Sequence, residues 1–304
     1  LSKNTNSSKK SNGCFEFHTE WFNTFELEAG NEKIKSIYDD EITNQDIKNC
    51  KTFKFKKGKY LITEALVFPN KCIIEFEEGA NLFFNPGVYL VINYKYQFPT
   101  GDQKVFLRKA ENDPWGGIII NYKGKNLVSN LYLSGSGEFF YKGKRYVGGL
   151  TLDNVPKSKV TKSIFIANYA DDALNVVGGE SEISYNYFYG NRDGLDLDLG
   201  KAKVYYNYFL NNKDDAIDLG SVNLVDISNN IIIGSGDKGV SVGEKSITTI
   251  AQNVIKKNSI GVAVKDGSSA VIDENNFIEN YIATSFFNKV TLKKNNKREN
   301  ENIV

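Results

Sequence analysis

Histidine and methionine are all but missing from this sequence: of 304 residues one is His and none is Met. A single His excludes the zinc sites and metalloprotease motifs that need two. Net charge is missing too, with 38 basic residues against 37 acidic ones. A partner held by phosphate neutralisation would leave a basic excess, so no nucleic acid is expected. No apolar run reaches the length of a membrane span, so none is expected to cross a bilayer. The three cysteines, Cys14, Cys50 and Cys72, show neither C-x-x-C spacing nor a disulfide framework. Small buried hydrophobes are their plainer reading, with one bridge allowed. Neither a GxxxxGK[ST] loop nor a strand-borne GxGxxG is present, which sets nucleotide chemistry aside. The chain starts at Leu1 without an apolar signal core, as expected of a product whose leader has been removed.

What is abundant is asparagine, at 36 residues, together with 20 Phe and 17 Tyr that can furnish a core. Much of the Asn falls into a repeat. Lines that open with Asn and an apolar run start at Asn186, Asn207, Asn230, Asn253 and Asn276, offset by 21, 23, 23 and 23 residues. A repeat of about 22 residues with short strands broken by Gly, Asn and Asp is one coil of a parallel β-helix. A leucine-rich repeat has a similar period but needs a Leu-x-x-Leu-x-Leu frame, whereas Val, Ile, Tyr and Phe dominate here. The fold class is therefore all-β: a single-stranded right-handed parallel β-helix, a solenoid of about 22-residue coils with an N-terminal cap.

The period-2 alternation places Leu195, Ile217, Val240 and Val262 in one interior column and turns Asp196, Asp198, Asp218, Ser241 and Lys265 outward. The five repeat-opening Asn residues are expected to form a hydrogen-bonded ladder at one corner, where Asn tolerates the left-handed conformation. Tyr187, Tyr208, Phe188, Phe209, Ile232 and Ile255 are expected to stack in the core. Upstream, Phe53 to Ala65 and Cys72 to Phe84 are strand-turn-strand units, and Trp115 to Asn121 starts another. The polar stretch between Tyr94 and Pro114 is expected to project as a loop. The chain divides into a disordered N-terminus at 1–13, a cap region at 14–50, the β-helix at 51–287 and a polar tail at 288–304.

Aligned on their strands, the coils expose columns of charge. One holds Asp172, Asp193, Asp215 and Lys238. A second holds Asn175, Asp196, Asp218 and Ser241. A third holds Asp171, Asp214 and Asp237, interrupted by Arg192. Strands are ~4.8 Å apart, and like charges opposed at that spacing raise one another's pKa. Asp at turns is often only a cap for backbone N–H groups, but Asp196, Asp198 and Asp218 lie on strands, where Asp is disfavoured. Clustered carboxylates hold hard cations or share protons as acid and base. Calcium is accordingly the one cofactor this pattern points to, with Asp172, Asp196, Asp198 and Asp218 as its ligands. Arg192, Glu244 and Lys265 share the flank and suit substrate binding together with Asp196 and Asp218; Lys238 suits an acidic sugar or the base of a β-eliminating lyase.

The string Asn191-Arg-Asp193, followed by Asp214-Asp215 and then Gly236-Asp-Lys238-Gly, resembles the active rows of polygalacturonase-type glycoside hydrolases in the pectate-lyase-like superfamily. That resemblance implies catalytic carboxylates at Asp193, Asp214 and Asp215 and hydrolysis with inversion. It departs from the family at Lys238, where a His belongs. The wider chain resembles secreted right-handed β-helix repeat proteins. Taken together, the sequence points to a secreted or cell-surface carbohydrate-active protein. Such a protein binds and cleaves a polysaccharide, by hydrolysis or elimination, at the Asp-rich flank. The alternative is a non-catalytic glycan-binding or structural module whose Asp rows hold calcium.

Overall fold

The computed structural model describes residues 38–288. Cys14, His18, the 1–13 segment, most of the cap region and the tail from 289 lie outside them. Nearly all of the regular secondary structure in the described residues is β-strand. The strands form an eleven-stranded and a fifteen-stranded parallel sheet with a short three-stranded one, which are the faces of a right-handed parallel β-helix. The first described rung, Asp40–Ile42, already pairs with Gly58–Ile62, so the ladder begins inside the stretch assigned to the cap. One helical turn, Asn44–Ile47, sits between them with a capping box closed by Thr43 and Asp46.

Alternation builds the core. Leu195 pairs with Ile217, Ile217 with Val240 and Val240 with Val262, and all four are fully buried. A parallel aromatic stack runs beside them, Phe165 to Phe188 at 4.9 Å and Phe188 to Phe209 at 4.6 Å. Ile232 and Ile255 continue that column with no exposed surface. Tyr187 and Tyr208 do not belong to it. They flank the Phe positions on three-residue strands, so alternation turns them to the outer face, half-buried. The Tyr94 to Pro114 stretch also differs from expectation. It contains Val105–Lys109, a rung of the eleven-stranded sheet, with Val105 and Leu107 inward. Its charges masked this: Arg108 projects outward onto the rings of Phe83, Phe106 and Tyr132.

Cys50 and Cys72 are disulfide-bonded, with Cα atoms 5.4 Å apart. Their separation of 22 residues is one coil, so the solenoid itself brings them face to face.

The Asn ladder exists, with two corrections. It runs Asn186, Asn207, Asn230, Asn253 and then Asn275, not Asn276, because the last coil is one residue shorter. Nor do these residues occupy the left-handed corner. That position is the one before them, held by Tyr185, Tyr206, Asn229, Gln252 and Glu274 at φ between 48° and 58°. From Asn207 onward each ladder Oδ1 accepts both the backbone and the side-chain N–H of the Asn one coil earlier, as Asn207 does from Asn186 at 3.0 and 3.1 Å, while Asn186 Oδ1 accepts the backbone N–H of Ser163. Each amide also caps a carbonyl deeper in the stack, as Asn207 Nδ2 does for Ile183 at 2.8 Å.

A second ladder, Asn168 to Asn191 to Asn212, follows a second left-handed corner and resumes at Asn258 and Asn280. It is broken at Ser235, whose hydroxyl is too short to reach. Asn212 Nδ2 and Ser235 Oγ are both buried without a partner. Ser235→Asn should close the gap and stabilise the fold by about 1–2 kcal/mol. That is roughly 2–4 °C per kcal/mol in a domain of this size, readable in a thermal melt. A variant that melts lower than the parent would show that the gap is not a missing rung.

Candidate functional site

On the outer face of the fifteen-stranded sheet one column changes character along the axis. Val91 pairs with Ile119, Ile119 with Thr151, Thr151 with Asn175, Asn175 with Asp196, Asp196 with Asp218 and Asp218 with Ser241. The apolar start is roofed by an antiparallel hairpin, Phe139–Tyr141 with Lys144–Tyr146, whose Phe139 and Tyr146 pack on Val91 and Ile119. Beyond the hairpin the column is polar and carries the acidic site.

The charge columns read from the sequence are present in register. Asp172 pairs with Asp193. Asp193 Oδ1 accepts the backbone N–H of Asp215 at 2.7 Å, and Asp215 Oδ1 accepts that of Lys238 at 2.9 Å. Asp193 and Asp215 thus each bind the main chain of the next coil, which locks the stagger of the column there. The Lys238 ammonium lies between Asp215, at 3.4 Å, and Asp237. Arg192 does not merely interrupt the third column; it spans it, meeting Asp171 at 2.6 Å and Asp214 at 3.6 Å.

Lys265 is 6% exposed although its position faces outward. Its Nζ donates to Ser241 Oγ at 2.6 Å and lies 3.8 Å from Asp218. The room for this comes from Gly243, where a Cβ would lie 2.8 Å from Lys265 Cε. Ser241 is fully buried for the same reason, covered by the lysine. Glu244, at a left-handed corner, accepts from Ser221 Oγ at 3.2 Å and stays exposed.

Burial dominates the electrostatics. It pushes Asp193 up to about 7, reinforced by the charge of Asp215 and opposed by that residue's N–H. It pushes Asp215 up to about 6, with Lys238 opposing. Asp172 and Asp196 are held well above the usual carboxylate range by burial first, and second by the charge of Asp196 at Asp172 and of Asp198 and Asp218 at Asp196. Asn175 Nδ2 relieves Asp196 in part with a 2.8 Å hydrogen bond. Asp198 is raised by burial and then by Glu244 and Asp218, with Asn175 opposing. Asp172 Oδ2 is buried and finds no partner. At Lys238 burial lowers the pKa, but Asp237 and Asp215 outweigh it and hold the ammonium above its ordinary range. Near neutral pH Lys238 is therefore a counter-ion and a poor base for β-elimination.

The expected calcium ligands occupy three columns: Asp172 in one, Asp196 and Asp218 in the next, Asp198 in the third. Among the described residues, the three carboxylates that approach within 4.8 Å of one another are instead Asp214, Asp215 and Asp237. Lys238 already supplies positive charge there. Asp214, expected to act beside Asp215, is 42% exposed at its side chain and engaged by Arg192. Sequence reasoning missed the bridging by Arg192, the seat of Lys265 over Gly243, and Thr151, whose buried Oγ1 has no partner.

Residues 172–303 match the family model of the right handed beta helix region. No curated protein sequence matches the chain. Two solved structures of PfbA from Streptococcus pneumoniae are similar to it. One, described as a surface protein and adhesin, is 10% identical, with 78% of this chain and 91% of that one covered at a TM-score of 0.36. The other, described as a surface adhesin, is also 10% identical, with 82% and 89% covered at a TM-score of 0.19.

Proposed function

We propose that the chain is a carbohydrate-active β-helix protein that binds a polysaccharide on the Asp-rich flank and hydrolyses it with Asp193 and Asp215. The observation that carries this reading is the pair itself: two carboxyl groups one coil apart, with pKa values near 7 and near 6. Hydrolysis needs one carboxyl protonated and one ionised at the same pH. Asp193, the more strongly shifted, keeps its proton longer and serves as general acid. Asp215 ionises first, with its charge met by Lys238, and serves as base toward water. A protonated Lys238 favours hydrolysis over elimination. The Cys50–Cys72 bridge supports an extracytoplasmic setting, since such bonds persist under oxidising conditions.

The test is incubation with a panel of neutral and uronic-acid polysaccharides, assaying new reducing ends and the absorbance of unsaturated products. Reducing ends without that absorbance are expected from at least one polymer. The rate should be greatest between about pH 6 and 7. Asp193→Asn should lower it by about 10²–10⁴-fold. No product from any polymer, or a rate indifferent to both Asp193→Asn and Asp215→Asn, would reduce the flank to a binding surface.

A further inference from the structure

At the ends of strands Tyr89–Ile92, Gly117–Ile120 and Gly148–Asp153 the surface is hollowed into a cleft of about 290 Å³. Asn70, Asn93, Asn121, Lys123, Asp153 and Asn154 line it. The coil repeat gathers them. Ile92, Ile120 and Leu152 pair in register, and Asn93, Asn121 and Asp153 are the residues that follow. In the same column Asp153 pairs with Val177 and Val177 with Asp198. Asp153 therefore stands two coil steps, ~10 Å, from Asp198, and from there the cleft extends away from the acidic flank.

Its polar groups divide into those already engaged and those left over. Both oxygens of the Asp153 carboxylate are met, by Lys144 Nζ at 2.9 Å, the Tyr146 hydroxyl at 3.0 Å and Asn154 Nδ2 at 2.7 Å. Lys123 Nζ donates to two main-chain carbonyls, Asn154 O at 2.9 Å and Asp153 O at 3.4 Å, which fixes the ammonium and leaves one N–H over. Among the described residues no carboxylate pairs with Lys123, nor with the exposed Lys71 and Lys125, one and two residues beyond Asn70 and Lys123. Asn93 Nδ2 donates to Phe68 O at 3.1 Å. Among the described residues its Oδ1, the Asn154 Oδ1 and both ends of the Asn70 and Asn121 amides have no hydrogen-bond partner.

What is left over describes the occupant. An amide holds a donor and an acceptor side by side, which suits a hydroxyl group, itself both. None of the six lining side chains is apolar, so a peptide, a lipid or a nucleobase finds nothing to bury or stack against. The charge left unmet in the cleft is positive, which selects an anionic ligand over a neutral one. We propose that the cleft is a second carbohydrate site, apart from the acidic flank, that holds an acidic sugar. Its carboxylate or sulfate sits on Lys123 and its hydroxyls on the amides of Asn70, Asn93, Asn121 and Asn154. The proposal rests on the carbohydrate-binding part of the preceding reading and not on cleavage.

The experiment is affinity electrophoresis of the full chain in gels cast with a uronate polymer (pectate), a sulfated one (dextran sulfate), a neutral one (xyloglucan) or gelatin. Two variants disarm the cleft by different routes. Asn70→Ser with Asn121→Ser changes no charge and breaks no hydrogen bond within the described residues, so it should melt with the parent. Lys123→Gln removes the charge. Lys201→Gln removes an equal charge from an exposed lysine outside the cleft and controls for attraction to polyanions in general. Retardation by pectate or dextran sulfate is expected, at least tenfold weaker in both cleft variants and unchanged in Lys201→Gln. The polymer that retards identifies the oxyanion. Any of four results overturns the cleft: retardation by neither anionic polymer, equal or stronger retardation by xyloglucan or gelatin, full retardation of the double variant, or equal weakening by Lys201→Gln and Lys123→Gln. Retardation that survives in both cleft variants returns the glycan to the acidic flank and leaves the preceding reading intact. Retardation lost in them, with no cleavage product from the parent, leaves the cleft standing and removes the hydrolase.

Discussion

Replacing Asn230 with Ala is expected to cost about 3–6 kcal/mol and to lower the melting temperature by roughly 10 °C. Asn230 is fully buried in the middle of the first ladder. Its Oδ1 accepts from Asn207 N at 2.9 Å and Asn207 Nδ2 at 3.0 Å. Its Nδ2 donates to Val204 O at 2.8 Å, Ser228 O at 3.1 Å and Asn253 Oδ1 at 3.0 Å. Truncation strips partners from two donors and a deep carbonyl that water cannot reach, and each such loss costs about 1–3 kcal/mol. Asn276→Ala is the matched control. The repeat spacing puts Asn276 in the ladder, but Asn275 makes the contact and Asn276 is exposed, so its loss should stay within about 0.5 kcal/mol. Equal melting temperatures for the two variants would dissolve the ladder as a source of stability.

The fold should also be more stable at mildly acidic pH than at neutral pH, against the usual trend for a protein rich in ion pairs. The sign follows from the direction of the shifts. Asp172, Asp193, Asp196 and Asp215 all have folded pKa values above the ordinary 3.8. Between that value and the folded one, the unfolded chain has released its proton while the native chain retains it. Stability therefore falls as pH rises through the window, and the contribution of Asp193 levels off above about 7, where it is ionised in both states. The loss from pH 4.5 to 7.5 should be on the order of a few kcal/mol summed over the cluster. Asp172→Asn, which removes a buried carboxylate with an unpartnered oxygen, should raise the melting temperature at pH 7.5 and leave it nearly unchanged at pH 4.5. A melt that rises steadily from pH 4.5 to 7.5 would contradict the buried-carboxylate assignment.

The coil period was legible because two physical requirements recur every 21–23 residues: an inward aliphatic strand and an Asn that can bridge to the next coil. The same period made the acid columns legible, since register in a solenoid is set by the repeat. Three features were not. The left-handed corner was credited to the ladder Asn, when the strained residue is the one before it, and strain leaves no mark in spacing. The Cys50–Cys72 pairing becomes readable only once the coil length is applied upstream of the clear repeats. Val105–Lys109 was hidden because a lone Arg108 over aromatic rings reads as loop polarity. The roles within the acidic flank were beyond the sequence for another reason. Which carboxyl keeps its proton depends on burial, and burial on this face can be decided by a side chain from another coil, as Lys265 decides it for Ser241.

The hairpin that roofs Val91 and Ile119 gives this flank a direction. From Ile119 the column passes Thr151 and Asn175 before it reaches Asp196, so the acidic site stands three coil steps, ~14 Å, from the covered end. A linear molecule laid along the axis meets an aromatic dead end on one side and an open sheet on the other. Its bulk is thereby set toward the side of Ser241 and Lys265, where the lysine lies across the serine.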